Sequence, residues 1–312
     1  MISIRRFVRG VDEPLWVDIL NVARKEREEW RTITVEELLA EAKRPGFDYE
    51  GRFIGELDGM AVGVVHAHVD KAIEDKKGFI HLDVVSEFRG CGIETPLVET
   101  ALSELKTRGM TIAQTWTDLS EKERVELLEG LHFRHIRVFS VMEMELAELS
   151  QNVGGNKQVA IRPLRKELED DIKLFNWLGN ETYREDLDYS PRTLEETRHF
   201  LFLDPYLNEK KVLFAVLNGE SVGCVGVGID EKLNLEKQAQ AGEVFVIGVL
   251  KAHRRKGIGT ELMLHGLERL KARGMTKAVL GVEDENLTQA KRLYEKLGFR
   301  VRKREIILER EV

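Results

Sequence analysis

Val249-Leu250-Lys251-Ala252-His253-Arg254-Arg255-Lys256-Gly257-Ile258-Gly259-Thr260-Glu261-Leu262 is the stretch on which the reading of this chain turns. An apolar, β-branched run (residues 243–250) ends at its left edge. A basic turn then passes two glycines, and an amphipathic stretch follows in which Leu262, Leu264, Leu267 and Leu270 give a mainly apolar side. The pattern predicts strand, turn and helix in that order. The first N–H groups of a helix have no partner inside the helix and sit at the positive end of its dipole, so they form an anion site. Glycine lets the backbone come close to such a guest. Arg254, Arg255 and Lys256 add positive charge, and a diphosphate suits the site. The spacing Arg254-x-x-Gly257-x-Gly259 is neither the phosphate loop Gly-x-x-x-x-Gly-Lys-Ser/Thr nor the dinucleotide fingerprint Gly-x-Gly-x-x-Gly. Taken alone, the segment also fits a solvated basic turn closed by glycine.

Working outward, the chain repeats itself. Leu105-Lys106-Thr107-Arg108-Gly109-Met110-Thr111 returns as Leu270-Lys271-Ala272-Arg273-Gly274-Met275-Thr276, an offset of 165 residues. At the same offset Val84, Arg89, Gly92, Ile93, Thr95 and Leu97 match Val249, Arg254, Gly257, Ile258, Thr260 and Leu262. Leu131 and Phe133-Arg134 match Leu297 and Phe299-Arg300 at 166, and Leu57-Asp58-Gly59 matches Leu217-Asn218-Gly219 at 160. A period this long is a duplicated domain and not a solenoid. The polar, glycine-containing run Gln151-Asn152-Val153-Gly154-Gly155-Asn156 reads as the joint. The expected domains are therefore residues 1–148 and 158–312, with 149–157 as linker.

Each half follows one plan. A short strand (2–6; 159–165) leads to a helical region and then to a hairpin at the Asp-Gly or Asn-Gly pair, which favours a turn with positive φ. An apolar strand (79–85; 243–250), a glycine turn and a helix follow, with Gly109 and Gly274 as C-terminal caps. In the second half a strand (276–282), a helix opening near Asn286 and a last strand complete the plan. Mixed α/β, or α+β, is the class expected.

Composition narrows the function. At 312 residues the chain is long enough for two domains of roughly 150 residues each. A net charge of −7 disfavours a general nucleic-acid binder. The charge is uneven, −9 over residues 1–150 and +2 over 151–312, so a polyanion would be better received by the second half. No run is apolar enough for a membrane span, and the N-terminus carries no apolar signal core. The only cysteines, Cys91 and Cys224, lie far apart; no disulfide framework is expected, and a reducing cytoplasm fits.

Arg/Gln-x-x-Gly-x-Gly/Ala between a strand and a helix resembles the acetyl-CoA pyrophosphate signature of the GNAT superfamily of N-acyltransferases. Asn286-Leu287-Thr288-Gln289-Ala290-Lys291-Arg292-Leu293-Tyr294-Glu295-Lys296-Leu297-Gly298-Phe299 is similar to the family's closing helix and strand. The likeness covers about 160–310 and, through the repeat, reaches the first half, giving tandem GNAT domains in an arrangement similar to the mycothiol synthase type. Each is expected to be a mixed, mostly antiparallel sheet flanked by helices.

The resemblance implies acetyl-CoA as co-substrate, with no metal, and a primary amine as acceptor, attacking directly in a ternary complex in the second domain. A small molecule is the first reading of the amine; a peptide α-amine, or a sensor that binds acyl-CoA without turnover, are the alternatives. The strand around Ile247–Val249 would pair with pantetheine, and the N–H of Val249 or Leu250 would polarise the thioester. With Arg254 as the signature's first residue, the amides of Arg255, Lys256, Gly257, Ile258, Gly259 and Thr260 would hold the pyrophosphate, and Asn286 the CoA arm. Tyr294 stands where many members place the acid that protonates the CoA thiolate, and Glu243 where several place the general base; Glu283 is a reserve. Read bare, Tyr294 is a core tyrosine and Glu243 a strand-end carboxylate. Monomer and homodimer both stay open.

The first half departs from the pattern. At equal offset Gly259 becomes Glu94, which sets a carboxylate where phosphate would lie and removes a glycine; Arg255-Lys256 becomes Gly90-Cys91, Glu243 becomes Gly78 and Tyr294 becomes Leu128. Arg89-x-x-Gly92 survives, so CoA binding there stays open while acyl transfer is not expected. The acidic stretch from Asn180 to Ser190, with Tyr183 and Tyr189, is the expected acceptor wall and suits a cationic amine. His66-x-His68 shares one strand face without an evident third ligand, so no metal site is expected.

Overall fold

A computed structural model of the chain describes residues 1–69, 76–149, 155–186, 189–207, 209–285 and 288–312. The joint at residues 151–154 lies outside the described residues. Two compact units emerge, Met1–Val138 with Glu305–Val312, and Phe139–Arg304.

The first unit runs β1 (Ile2–Arg6), α1 (Glu13–Ala23), α2 (Val35–Glu41), β2 (Arg52–Leu57), β3 (Met60–Val69), β4 (Lys77–Val84), α3 (Glu94–Thr107), β5 (Ile112–Asp118), α4 (Lys122–Gly130) and the start of β6 (Arg134–Glu145). The second continues β6 and adds β7 (Ala160–Pro163), α5 (Glu169–Tyr183), α6 (Leu194–Phe202), β8 (Glu209–Leu217), β9 (Glu220–Ile229), α7 (Glu231–Lys237), β10 (Ala241–Val249), α8 (Ile258–Ala272), β11 (Lys277–Glu283), α9 (Ala290–Leu297) and β12 (Arg300–Glu311). In the first unit β1 to β4 are antiparallel neighbours in order, β5 lies parallel to β4, and Glu305–Glu311 of β12 runs antiparallel to β5. In the second, β7 to β10 are antiparallel neighbours, β11 lies parallel to β10, and residues 139–145 of β6 run antiparallel to β11. Each sheet is thus completed by a strand from the other repeat's end, a pairing that no local sequence pattern announces.

Local chemistry explains the shared parts. Both hairpins turn on residues with positive φ, Asp58-Gly59 and Asn218-Gly219, and both carry a register shift at the same place, Gly55/Glu56 and Ala215/Val216. Both long helices end in the same cap. Met110 N–H donates to Leu105 O and Gly109 N–H to Lys106 O; Met275 and Gly274 do the same with Leu270 and Lys271. Gly109 and Gly274 take the left-handed conformation this motif requires.

In the second unit α8 and α9 cover one face of the sheet. Ile258, Leu262, Met263, Leu267 and Leu270 pack with Val225, Val227 and Val244, each such side chain stabilising by about 1.5–3 kcal/mol on burial. On the opposite face Ile172, Phe175 and Leu178 of α5 pack with Val212, Phe214 and Cys224. No described helix is long and apolar enough to cross a membrane.

Candidate active site

β10 carries the site because it leaves both of its neighbours part-way along. It pairs with β11 only over Ala241–Glu243. Against β9 its register slips between Val244 and Val246, which leaves Phe245 as an extra residue. Such a bulge bends a strand and switches which residues share a face. Val244 packs toward α8, whereas Phe245 and Val246 both pack toward α5; beyond them Ile247 and Val249 return to the α8 side. The Phe245 ring sits where a Cβ on Gly226 would be, so a glycine in β9 makes room for the bulge. Beyond the bulge the edge of β10 opens toward β11. Leu250 N–H is spent on Val222 O, inside the pairing with β9. Alternation along a strand therefore turns the N–H groups of Ile247 and Val249 toward the open edge.

The turn after β10 has the conformation an anion needs. Arg255 and Gly257 have φ of 61° and 77°, and α8 begins at Ile258 with no side-chain cap. Among the described residues no protein acceptor meets the N–H groups from Arg255 to Thr260, and they open at the positive end of α8. Asn156 Nδ2 donates to Lys256 O at 2.9 Å and pins the turn; its place in a polar joint gave no sign of this. The side chains of the basic run do other work. Arg255 donates to Thr288 O and Gln289 Oε1, and Lys256 Nζ to Ala252 O. Arg254 is a strut: Nε donates to Val249 O at 3.0 Å, Nη2 to Thr182 O at 3.1 Å and Nη1 to Glu185 Oε2 at 2.8 Å. It ties the strand end to the last carbonyls of α5, where a cation is favoured. Arg254→Ala is expected to lower folding stability by about 2 kcal/mol, most of it from the two carbonyl bonds and little from the exposed Glu185 pair. Denaturant melts would check this, and an unchanged midpoint would remove the strut from the account.

The titratable groups fall into two sets, Glu243 near Asp204 and Asp230, and Tyr294 near Tyr183 and Asp186. Glu243, at the last position paired with β11, meets solvent, yet crowding by the protein raises its pKa above the ordinary carboxylate value, and Asp204 and Asp230 raise it further. Tyr294 is 5% exposed in α9, edge-on to Phe299 at 6.0 Å. Burial, then Tyr183 and Asp186, hold its phenol far above its usual pKa. Tyr183, the last residue of α5, is pushed up to about 12 by burial. Its hydroxyl donates to Ile247 O at 3.0 Å and accepts from Ile247 N–H at 3.2 Å. Asp186 is raised by desolvation despite Arg254. In the expected acceptor wall, Asn180 is spent on Arg192 backbone groups, and residues 187 and 188 lie outside the described residues. Asn286 also lies outside them, and the helix expected to open near it begins at Ala290. Glu283 ends β11, opposite Phe139.

The first unit repeats the turn and fills it. Gly90 and Gly92 have φ of 74° and 85°, matching Arg255 and Gly257. Arg89 Nε donates to Val84 O and Nη2 to Ala23 O, the same strut. Glu94 Oε1 accepts from Gly90 N–H at 2.6 Å, so a carboxylate of the protein sits in the anion turn. Gly259 has no positive φ, so Glu94 in its place differs through the carboxylate and not through a glycine's backbone freedom. The first-unit counterpart of Glu243 is Phe79 and not Gly78. Gly78 lies against Leu105 as Gly242 lies against Leu270, and the parallel pairs align Phe79 with Glu243. The extra residue at Phe245, which the β3–β4 register lacks, shifts the alignment by one. A cavity of about 520 Å³ lined by Arg27, Leu82, Asp83, Glu94, Arg124 and Leu127 adjoins this turn. Arg124 Nη1 reaches Leu82 O at 2.9 Å, and Arg24 pairs with Asp83. Asp48 joins His66 and His68 as the third group that sequence did not reveal. Its Oδ2 already accepts from Arg108 Nη1 and Val69 N–H, each at 2.9 Å, so a cation there would face the Arg108 charge.

A sheet splayed beside a bulge, with an anion turn at the strand's end, occurs here as part of a duplicated unit, and comparison with known proteins also finds the duplication. The sequence profile described as the Acetyltransferase (GNAT) family matches residues 16–133 and again 172–299, and the chain belongs to that family. Among similar curated proteins, the mycothiol acetyltransferase of Thermomonospora curvata is 30% identical over 138 residues, 44% of this chain and 46% of that protein. The chain thus spans about half the length of that relative. The mycothiol acetyltransferase of Actinosynnema mirum is 26% identical over 268 residues, 82% of each chain. A solved structure described as a tandem GNAT protein from the clavulanic acid biosynthesis pathway superposes with a TM-score of 0.76 at 14% identity, covering 100% of this chain and 98% of that one. At that identity the match speaks to fold alone. The expected tandem GNAT architecture and mixed α/β class hold.

Proposed function

We propose that the protein is an acetyl-CoA-dependent N-acetyltransferase whose working site lies in the second unit and whose acceptor is a small primary amine. The observation that carries this reading is the turn of unpaired N–H groups from Arg255 to Thr260 at the end of a strand that has left its neighbour. The pyrophosphate takes those N–H groups, with the backbone and not the Arg254 side chain as its seat. Pantetheine follows the open edge of β10. Of the two N–H groups expected to polarise the thioester, Leu250's is committed to β9, which leaves Val249's for that role.

The chemistry then needs a base and an acid of opposite habit. An amine delivered as a cation gives one proton to Glu243, whose raised pKa makes it a better acceptor than an ordinary carboxylate. The neutral amine attacks the carbonyl carbon, the tetrahedral oxyanion collapses, the C–S bond breaks and the amide forms. The thiolate takes a proton from Tyr294, and the phenol recovers one from the second proton that the nitrogen sheds as it becomes an amide, so that Tyr294, whose ionised form burial disfavours, ends the cycle neutral. Asp204 and Asp230 near Glu243, and Asp186 near Tyr294, favour a cationic acceptor.

The test is titration of acetyl-CoA by calorimetry, followed by thiol release with a panel of amines. One saturable site per chain and amine-dependent release of CoA are expected. Two sites would put a second cofactor in the first unit. Binding without release by any amine would leave a sensor, and no binding would end the acetyltransferase reading.

A further inference from the structure

Tyr183 stands on the backbone that the cofactor would use. Ile247 lies beyond the bulge, where β10 has no β11 partner, and its N–H and C=O face the open edge. Both are satisfied by one group, the Tyr183 hydroxyl, at 3.2 and 3.0 Å. The phenol comes from the last residue of α5, on the other face of the sheet from α8, and is mostly buried. It reaches across the strand to an edge that a bound cofactor would otherwise pair with. Buried backbone groups must have partners, and here a side chain supplies what a third strand would supply. The strut from Arg254 holds Thr182 O and Glu185 on either side of Tyr183, so the helix end stays fixed while the Tyr183 ring occupies the splay. Tyr294 lies close enough for Tyr183 to raise its cost of ionisation.

We propose that the Tyr183 hydroxyl is a placeholder for the acyl-pantetheine arm: it occupies the Ile247 edge of β10 in the free protein and must leave when acetyl-CoA enters. The inference rests on the reading that acetyl-CoA lies in the splay between β10 and β11. It makes Tyr183 a specificity element, because only a ligand that offers Ile247 both an acceptor and a donor repays its displacement. A nucleotide held by the turn alone would leave Tyr183 in place. The first unit has no counterpart: the residue in the same place, just after α1, is Arg24, which pairs with Asp83.

Tyr183→Phe keeps the ring and removes the competitor. Two hydrogen bonds of ordinary net strength are lost from the free state only, so acetyl-CoA is expected to bind about five- to ten-fold more tightly, read by calorimetry and as a fall in KM for acetyl-CoA. ADP, which engages the turn alone, is expected to bind the variant and the wild type equally. Amide exchange at Ile247 is expected to speed up in the free variant and to slow again with acetyl-CoA. Weaker or unchanged acetyl-CoA binding by the variant overturns the proposal, as does an equal gain for ADP or a loss of kcat with KM unaltered. A wild type that binds no acetyl-CoA sinks the acetyltransferase reading itself, which is a different result from a wild type that binds and a variant that gains nothing.

Discussion

Gly259→Glu is expected to abolish acetyl-CoA binding while leaving the protein folded. The first unit supplies the design, since Glu94 at the matching position places its carboxylate on Gly90 N–H inside the same turn. The backbone accepts the change: a Cβ at Gly259 would lie 3.4 Å from Leu293 and 3.8 Å from Val249, ordinary contacts, and no positive φ is required. An acid in the first turn of α8 also suits the helix dipole. The cost falls on the ligand. Occupying the turn removes charge-assisted bonds and adds a like charge beside the pyrophosphate, together worth about 3 kcal/mol or more, a hundred-fold or greater loss of affinity. Gly259→Ala provides the control and should bind nearly as the wild type does. Calorimetry with a thermal melt decides: a Gly259→Glu variant that keeps its affinity would show that the turn is not the pyrophosphate seat.

Glu243→Gln is the second large effect. As a general base Glu243 must be ionised, so kcat/KM should rise with pH through its raised pKa and then level off. The amide cannot take a proton, and a fall in kcat of about 100-fold or more with loss of the acid limb is expected. Stability should move the other way. A carboxyl whose folded-state pKa is raised binds its proton more tightly in the folded form, so ionisation above that pKa destabilises the fold. At pH 8 the variant should therefore melt no lower than the wild type. An unaltered pH–rate profile would pass the role to another group, with Glu283 the first to try.

What the sequence made legible was local. The hairpins at Asp58-Gly59 and Asn218-Gly219 and the caps at Gly109 and Gly274 need only their own residues, and they formed where expected. The turn after β10 was readable for the same reason. Pairing across long sequence distances was not. Nothing in residues 139–145 or 305–311 says which sheet they will join, because their partners, residues 277–283 and 112–118, lie far away in sequence. The bulge at Phe245 escaped notice because an equal-offset alignment absorbs an extra residue silently, and this misplaced the counterpart of Glu243. Tyr183 was marked within an acidic acceptor wall, but its hydroxyl is turned to a main-chain edge whose opening only the strand register reveals. Arg254 was placed by motif, while its side chain serves the fold.

The traded strands have a consequence for the gene. Residues 139–145 belong to the first repeat by sequence and to the second unit by pairing, and residues 305–311 the reverse. A deletion that removes either repeat also strips the survivor of its outermost strand and bares a ladder of unpaired amides. The duplication is therefore hard to reverse by losing one copy. The repeat that carries Glu94 and Leu128 in place of the glycine and the tyrosine thus still supplies, in residues 139–145, the strand that covers the outer edge of β11 in the second unit.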